Sequence, residues 1–200
     1  MSLAEALAVH VALGAAAGLP HDIVSGIDSH APKWHACSIV DHVSWVTAIA
    51  SALVAHNTAP PELVTCAIWH DIGKVVAPQR SHVGPTFHHH APTGAVYLAE
   101  SGWFDPQVVL AVAEHGAYRE RGGYRSDAGQ LLPLVDLCDE LGKWSVEHFP
   151  PQGGDKQRRR RAETLCLIAD AGVSRDTINL AVTIATRLVR PSTASRASSL

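Results

Sequence analysis

The residues of this chain best suited to chemistry are the adjacent pair His70-Asp71, which ends an apolar stretch and precedes Ile72-Gly73-Lys74. A histidine beside an aspartate offers one nitrogen ligand and one oxygen ligand. Divalent metals of intermediate hardness, such as Fe, Mn, Zn, Co or Ni, accept that mixture. Because such a pair also arises by chance, it indicates a metal site only if further ligands lie at suitable places around it.

The sequence supplies further ligands, each on or at the end of a different predicted helix: His42, His90, His115 and Asp136. A helical bundle can direct side chains from several helices to one point. Six ligands exceed the four that one tetrahedral metal needs, and they suit two metals that share the carboxylate of Asp71. Two alternatives stay open: His35 replaces His42 if its helix begins earlier, and Asp139 competes with Asp136.

The elements that must position these ligands are helices. Apolar residues recur at helical spacing, and runs of strict alternation are absent, so the fold class is predicted to be all-α. Asp105-Pro106 and Ser174 are predicted helix starts. Loops are expected at 75–88, 116–129 and 150–155, and a disordered tail at 191–200. The second predicted helix begins somewhere in 35–42 and ends at about 56; the others cover about 3–17, 61–71, 91–101, 105–117, 131–147, 156–171 and 174–189.

Composition points to one globular domain that spans residues 1–200. The chain is 46% hydrophobic and 18% charged, with a net charge of -3, which argues against nucleic-acid or membrane-surface binding. The apolar stretch 3–19 contains Glu5 and His10 and is short for a membrane span. The four scattered cysteines suggest reduced thiols, so a cytoplasmic location is expected.

Taken together, the ligand series resembles the HD-domain metal-dependent phosphohydrolase superfamily, in its six-ligand form with the His-Asp-Ile-Gly motif. The resemblance covers about residues 35–145 and implies a helical bundle with additional N- and C-terminal helices. The flanking residues match as well as the ligands do. The segments that carry the resemblance are Asp41-His42-Val43, Phe87 to His90 with Gly94-Ala95, Val112 to His115, and Leu134 to Asp139.

By this resemblance, Asp71 bridges two divalent metal ions. The ligands of one ion are His42, His70 and Asp136, and those of the other are His90 and His115. Relatives with a single metal usually lack counterparts of the last two histidines. The branch that acts on cyclic dinucleotides has a longer signature, of which this chain keeps little, so that substrate is not expected.

The resemblance implies a hydrolase that uses metal-activated hydroxide on a small phosphorylated molecule: a phosphomonoester, a nucleotide or a cyclic phosphodiester. Asp71 and Lys74 are the expected catalytic residues, and Lys74 and Arg119 the expected phosphate-binding residues. The plainer interpretation makes Lys74 a helix-end charge and Arg119 a solvated loop charge. His82 and His89 are weak candidates for assisting the leaving group.

Two other functions fit the same resemblance. A mixed-valence di-iron oxygenase that cleaves an organophosphonate or polyol-like substrate could use the same ligands, although Lys74 favours hydrolysis. A non-catalytic signalling module is the third, and it ranks last because all six ligands are present. The run Arg158–Arg161 is interpreted as the solvated start of a helix, with partner or phosphate contact as the alternative.

Overall fold

A computed structural model describes residues 1–26, 28, 30, 35, 37–81, 84–124, 129–143 and 154–188. Most of these residues are in helices and only two strands of three residues each are present among them, which confirms the predicted all-α class. The elements, in chain order, are α1 (Leu3–Ala16), α2 (His21–Val24), α3 (Ile39–Ala55), α4 (Glu62–Trp69), α5 (Gly73–Val76), β1 (Gln79–Ser81), β2 (Gly84–Thr86), α6 (His90–Ser101), α7 (Pro106–Glu114), α8 (Tyr118–Arg121), α9 (Leu131–Gly142), α10 (Gly154–Asp170) and α11 (Arg175–Leu188).

The predicted loops contain short elements that periodicity could not indicate. The 75–88 loop includes the end of α5 and an antiparallel hairpin in which Gln79 pairs with Thr86. The 116–129 loop includes α8. A further short helix that was not predicted, α2, follows the first helix. Strands of three residues are too short for alternation, and helices of four residues are too short for a 3.6-residue period. The predicted tail at 191–200 lies outside the described residues.

Helix starts agree with the capping residues in the sequence. Asp105 accepts a hydrogen bond from the backbone N–H of Gln107, and Ser174 accepts one from that of Thr177, so both predicted caps are confirmed. Ser38 accepts from the N–H of Asp41 and begins α3. His42 is therefore the fourth residue of α3, and the helix does not reach back to His35.

The core consists of two apolar clusters that meet at α3. One cluster lies among α3, α4, α9 and α11, and the other among α1, α3, α4, α5 and α6. Val46 and Ile49 of α3 belong to the first cluster, whereas Ile39 and Val43 belong to the second. His42 of the same helix is fully buried. The described residues contain no helix that is long and apolar enough to span a membrane.

The backbones of α5 and α6 lie unusually close together at two glycines. A Cβ atom added to Gly73 would overlap the carbonyl oxygen of His90 and stand 2.7 Å from the nitrogen of Gly94. A Cβ atom on Gly94 would lie 3.0 Å from the nitrogen of Gly73. This contact fixes the start of α6 against the segment that follows Asp71.

Candidate metal centre

Four buried or half-buried histidines are oriented in the same way, by hydrogen bonds from Nδ1 to backbone carbonyl oxygens. A carbonyl oxygen can only accept, so each Nδ1 carries the proton and each neutral ring keeps a lone pair on Nε2. Metal-binding histidines in proteins are commonly held by such bonds. The four bonds run from His42 to Gly142 (3.1 Å), His70 to Ala67 (2.8 Å), His90 to Phe87 (2.7 Å) and His115 to Val112 (2.7 Å).

The Nε2 atoms of these histidines meet in two pairs. The His42 and His70 nitrogens are 3.1 Å apart, and those of His90 and His115 are also 3.1 Å apart. Each pair is completed by a carboxylate. Asp139 joins the first pair, with Oδ1 3.1 Å from His42 Nε2, and Asp71 joins the second. The structure thus brings together two groups that each contain two histidines and one aspartate.

Asp71 also lies beside the first pair, and its two oxygens face different histidine pairs. Oδ2 is 3.3 Å from Nε2 of His42 and 3.3 Å from that of His70. Oδ1 is 3.1 Å from Nε2 of His90 and 3.6 Å from that of His115. A carboxylate with this placement can give one oxygen to each of two metal ions.

The donor atoms fit divalent metal ions. Nitrogens bonded at about 2.1 Å to one ion, at angles of about 90–109°, stand about 3.0–3.4 Å apart. The observed 3.1 Å separations lie in that range. Two unprotonated nitrogens at this distance repel each other unless a cation or proton lies between them, so the arrangement favours a positive charge.

The electrostatic field in the centre also favours cations. Burial lowers the pKa of His42, but the carboxylates of Asp139 and Asp71 outweigh it and raise that pKa. Burial would raise the pKa of Asp71, yet Lys74 and His70 hold it well below its usual value. The pKa of Asp139 is likewise well below its usual value, because Lys143 and His42 outweigh burial. Both carboxylates therefore stay ionised.

His90 is the most exposed of the four histidines of the centre. The side chain of His90 is 26% exposed, whereas those of His42, His70 and His115 are 2% exposed or less. Burial still lowers the pKa of His90 to about 4, so this imidazole is neutral at physiological pH.

A comparison with protein families identifies the family of the chain. The family model described as HD domain matches residues 39–144, which is just over half of the chain. The chain belongs to the HD domain family. Proteins of this family bind divalent metals and are generally metal-dependent hydrolases. No curated protein and no solved structure matches the chain significantly.

Within the HD domain, two aspartates of α9 compete for one role. By the resemblance, Asp136 was the expected third ligand beside His42 and His70. In the structure the aspartate in that group is Asp139, the alternative, one helical turn further on. Asp136 Oδ1 instead accepts a hydrogen bond from the backbone N–H of Gly116 at 2.8 Å. The geometry therefore favours Asp139 as the third ligand. Ligation by Asp136 stays a prediction, and the observed contacts of Asp136 do not support it.

Each carboxylate of the centre also contacts a lysine. Lys74 donates to Asp71 Oδ2 at 2.6 Å, and it lies 3.2 Å from Nε2 of His30, whose own Nδ1 donates to a carbonyl. Lys143 lies 2.7 Å from Asp139 Oδ2. Lys143 and His30 were not found from the sequence. For Lys143, its position four residues after Asp139 on one helix face was the available signal.

The other candidates from the sequence lie around these groups. His35 is buried, but it belongs to neither group and packs its ring against His42 at 4.4 Å. His89 is exposed and begins α6 with a positive φ of 60°. Arg119 lies in α8, but its side chain, like His82, is outside the described part of the chain. Its role stays a prediction.

The arginine run has a structural role at one position. Arg161 of α10 donates to the backbone oxygen of Glu140 at 2.9 Å, and its Nε lies 4.0 Å from the Glu140 carboxylate. Glu140 also lies 3.2 Å from Lys143. Arg161 therefore belongs to a chain of charges that leads through α9 to Asp139. Arg158 and Arg159 are exposed.

Proposed function

We propose that this HD domain is a metal-dependent phosphohydrolase with a binuclear site. Its substrate would be a small phosphorylated molecule: a phosphomonoester, a nucleotide or a cyclic phosphodiester. The observation that carries the proposal is the division of Asp71, whose two oxygens face two separate histidine pairs. A site for one metal would not need a second pair.

The proposed ligands differ from the sequence-based set at one position. One ion would be held by His42, His70 and Asp139, the other by His90 and His115, and both by Asp71. Two divalent ions of Fe, Mn, Zn, Co or Ni would supply Lewis acidity and lower the pKa of a water molecule between the substrate and the protein. Asp71 would keep the two sites at a fixed separation.

The two lysines beside the centre would have different roles. Lys74 is only 4% exposed and donates to Asp71, so we propose that it orients the bridging carboxylate rather than clamping a free phosphate. The side chain of Lys143 is 17% exposed and is the more accessible ammonium beside the centre. A phosphate oxygen could accept from Lys143 while Asp139 keeps its second oxygen for the metal.

A second candidate function follows from the composition of each group. Two histidines and one carboxylate form the ligand set of many non-haem iron oxygenases. A mixed-valence di-iron oxygenase that cleaves an organophosphonate or a polyol-like substrate would use the same residues. The family's general hydrolytic chemistry and the two lysines favour phosphate hydrolysis. The four cysteines are all free, which fits the expected cytoplasmic location.

Metal analysis of anaerobically purified protein, combined with a screen of phosphorylated substrates, tests the proposal. We expect two metal ions per chain and phosphatase or phosphodiesterase activity that does not depend on oxygen. Two irons with an oxygen-dependent activity and no phosphate release would favour the second candidate and refute the first.

A variant tests the site itself. Asp71→Ala should lose both metals and all activity, because it removes an oxygen from each group. Asp170→Ala is the matched control, since Asp170 is exposed at the end of α10. Retention of metal and activity by Asp71→Ala would refute the assigned centre.

A further inference from the structure

Asp136 is a buried carboxylate that neither metal group uses. It is 1% exposed and lies on α9, one turn before Asp139. Residues three apart on a helix share a face, so both aspartates point towards the same end of the centre. The two carboxylates differ in what they contact, and that difference indicates a separate role for Asp136.

The contact of Asp136 is the peptide directly after a ligand. Its Oδ1 accepts from the N–H of Gly116 at 2.8 Å. His115 ends α7 with an extended ψ of 140°, and Gly116 follows with a φ of 77°. The chain therefore turns sharply at His115, where the helix no longer fixes the backbone. The hydrogen bond from Gly116 to Asp136 ties this turn to α9.

The ring of His115 depends on that turn for its position. Its Nδ1 donates to Val112 one turn earlier, and its Nε2 is 3.1 Å from that of His90. A metal site tolerates ligand displacements of only about 0.2 Å. A turn released from α9 would leave His115 anchored on one side only.

We infer that Asp136 is a positioning residue, which holds the His115–Gly116 turn so that His115 completes the metal group it forms with His90 and Asp71. The inference rests on the proposed binuclear site. One acceptor oxygen performs the role, since the structure gives the other oxygen, Oδ2, no hydrogen-bond partner among the described residues. An asparagine should therefore replace Asp136, although it cannot replace a carboxylate that binds a metal equally well.

The test is Co²⁺ titration of metal-free protein, with stoichiometry by elemental analysis, for the wild type, Asp136→Asn, Asp136→Ala and Asp139→Asn. We expect two ions with nearly wild-type affinity in Asp136→Asn. In Asp136→Ala we expect one tight ion and a second bound about 10–100-fold more weakly, as when a group that orients a ligand is removed. Asp139→Asn should weaken the other ion.

A double-variant comparison identifies the affected group. If Asp136 acts through His115, Asp136→Ala combined with His115→Ala should bind no more weakly than His115→Ala alone. Asp136→Ala combined with Asp139→Asn should weaken both ions. A merely structural role would instead lower both affinities in Asp136→Ala by similar factors. Asp136→Leu, which fills the space without an acceptor, replaces the alanine variant if that protein does not fold.

The outcomes separate this inference from the function on which it rests. Wild-type protein with fewer than two ions overturns the binuclear site and the inference together. Two ions in the wild type with unchanged binding in Asp136→Ala overturn the inference alone. Equal loss of one ion in Asp136→Asn and Asp139→Asn would make Asp136 a ligand, which also overturns it.

Discussion

The close contact between α5 and α6 leads to a prediction about Gly73, which lies two residues after the proposed bridging ligand. Gly73 has a helical backbone and no positive φ, so alanine at this position would ordinarily stabilise the helix by about 1 kcal/mol. The packing predicts the opposite. The new Cβ would overlap the carbonyl oxygen of His90 and lie 2.7 Å from the nitrogen of Gly94.

The size of the effect follows from these distances. Ordinary carbon contacts begin near about 3.5 Å, so α6 must move away from Gly73 by at least about 0.8 Å at Gly94, and by more at His90. Overpacking of this kind costs about 3 kcal/mol, since both neighbours are backbone atoms. After the gain in helix propensity, a net loss of about 2 kcal/mol remains, which corresponds to a fall in Tm of about 4–8 °C.

The movement should also affect the metal centre. A displacement of about 0.8 Å exceeds the tolerance of a metal ligand, about 0.2 Å, so Gly73→Ala should lose the ion that His90 holds. Thermal unfolding monitored by circular dichroism and metal stoichiometry measure the two effects. Gly102→Ala is the control for the metal readout: its φ of 70° should lower Tm, but the space around it is open, so it should keep both ions. A Gly73→Ala protein with unchanged Tm and two ions would refute this reasoning.

Three further predictions concern stability. Arg161→Ala should lower the free energy of unfolding by about 1–2 kcal/mol in denaturant titrations. The control Arg159→Ala, on the exposed face, should change it by less than about 0.5 kcal/mol. Equal effects of the two variants would refute the role of Arg161. Burial raises the pKa of Asp136 to about 7, above its unfolded value of about 4. The metal-free protein therefore binds more protons when folded than when unfolded, and its free energy of unfolding falls as pH rises between those two values. Asp136→Asn should therefore gain stability over the wild type across that pH range, and a difference that is constant with pH would contradict this. His10→Phe should leave Tm unchanged or slightly higher. The His10 ring stacks on Trp69, as a phenyl ring could, and its buried Nε2 has no partner among the described residues. A fall in Tm of several degrees would contradict this.

Much of the fold could be predicted from local signals. Helix caps such as Asp105 and Ser174 act within one turn, and apolar periodicity marks the long helices wherever they pack on the core. The hairpin in 75–88 and the short α8 could not be predicted, because such short elements form through contacts with the rest of the molecule. The spacing of Gly73 and Gly94 was visible, but not that their backbones would meet.

The candidate site was predictable as a set of residue types and less so as a set of atoms. His42, His70, Asp71, His90 and His115 converge as the sequence suggested. The choice between Asp136 and Asp139 depends on the rotation of α9 about its axis, and three residues change that rotation by only about 60°. Lys74 was expected to face substrate, but its short distance to Asp71 depends on the turn into α5 and is not visible in the sequence.

The shared position of Asp71 has a thermodynamic consequence for how the centre is filled. In the proposed binuclear site, the Asp71 carboxylate would give one oxygen to each ion, so the two binding equilibria would be linked. The factor by which the first ion changes the affinity of the second equals the factor by which the second ion changes the affinity of the first. Loading of the proposed site would thus be described by a coupling free energy as well as two intrinsic binding constants. Replacing one ion by another element would change the metal affinity at the neighbouring position, even though no ligand of that position has changed.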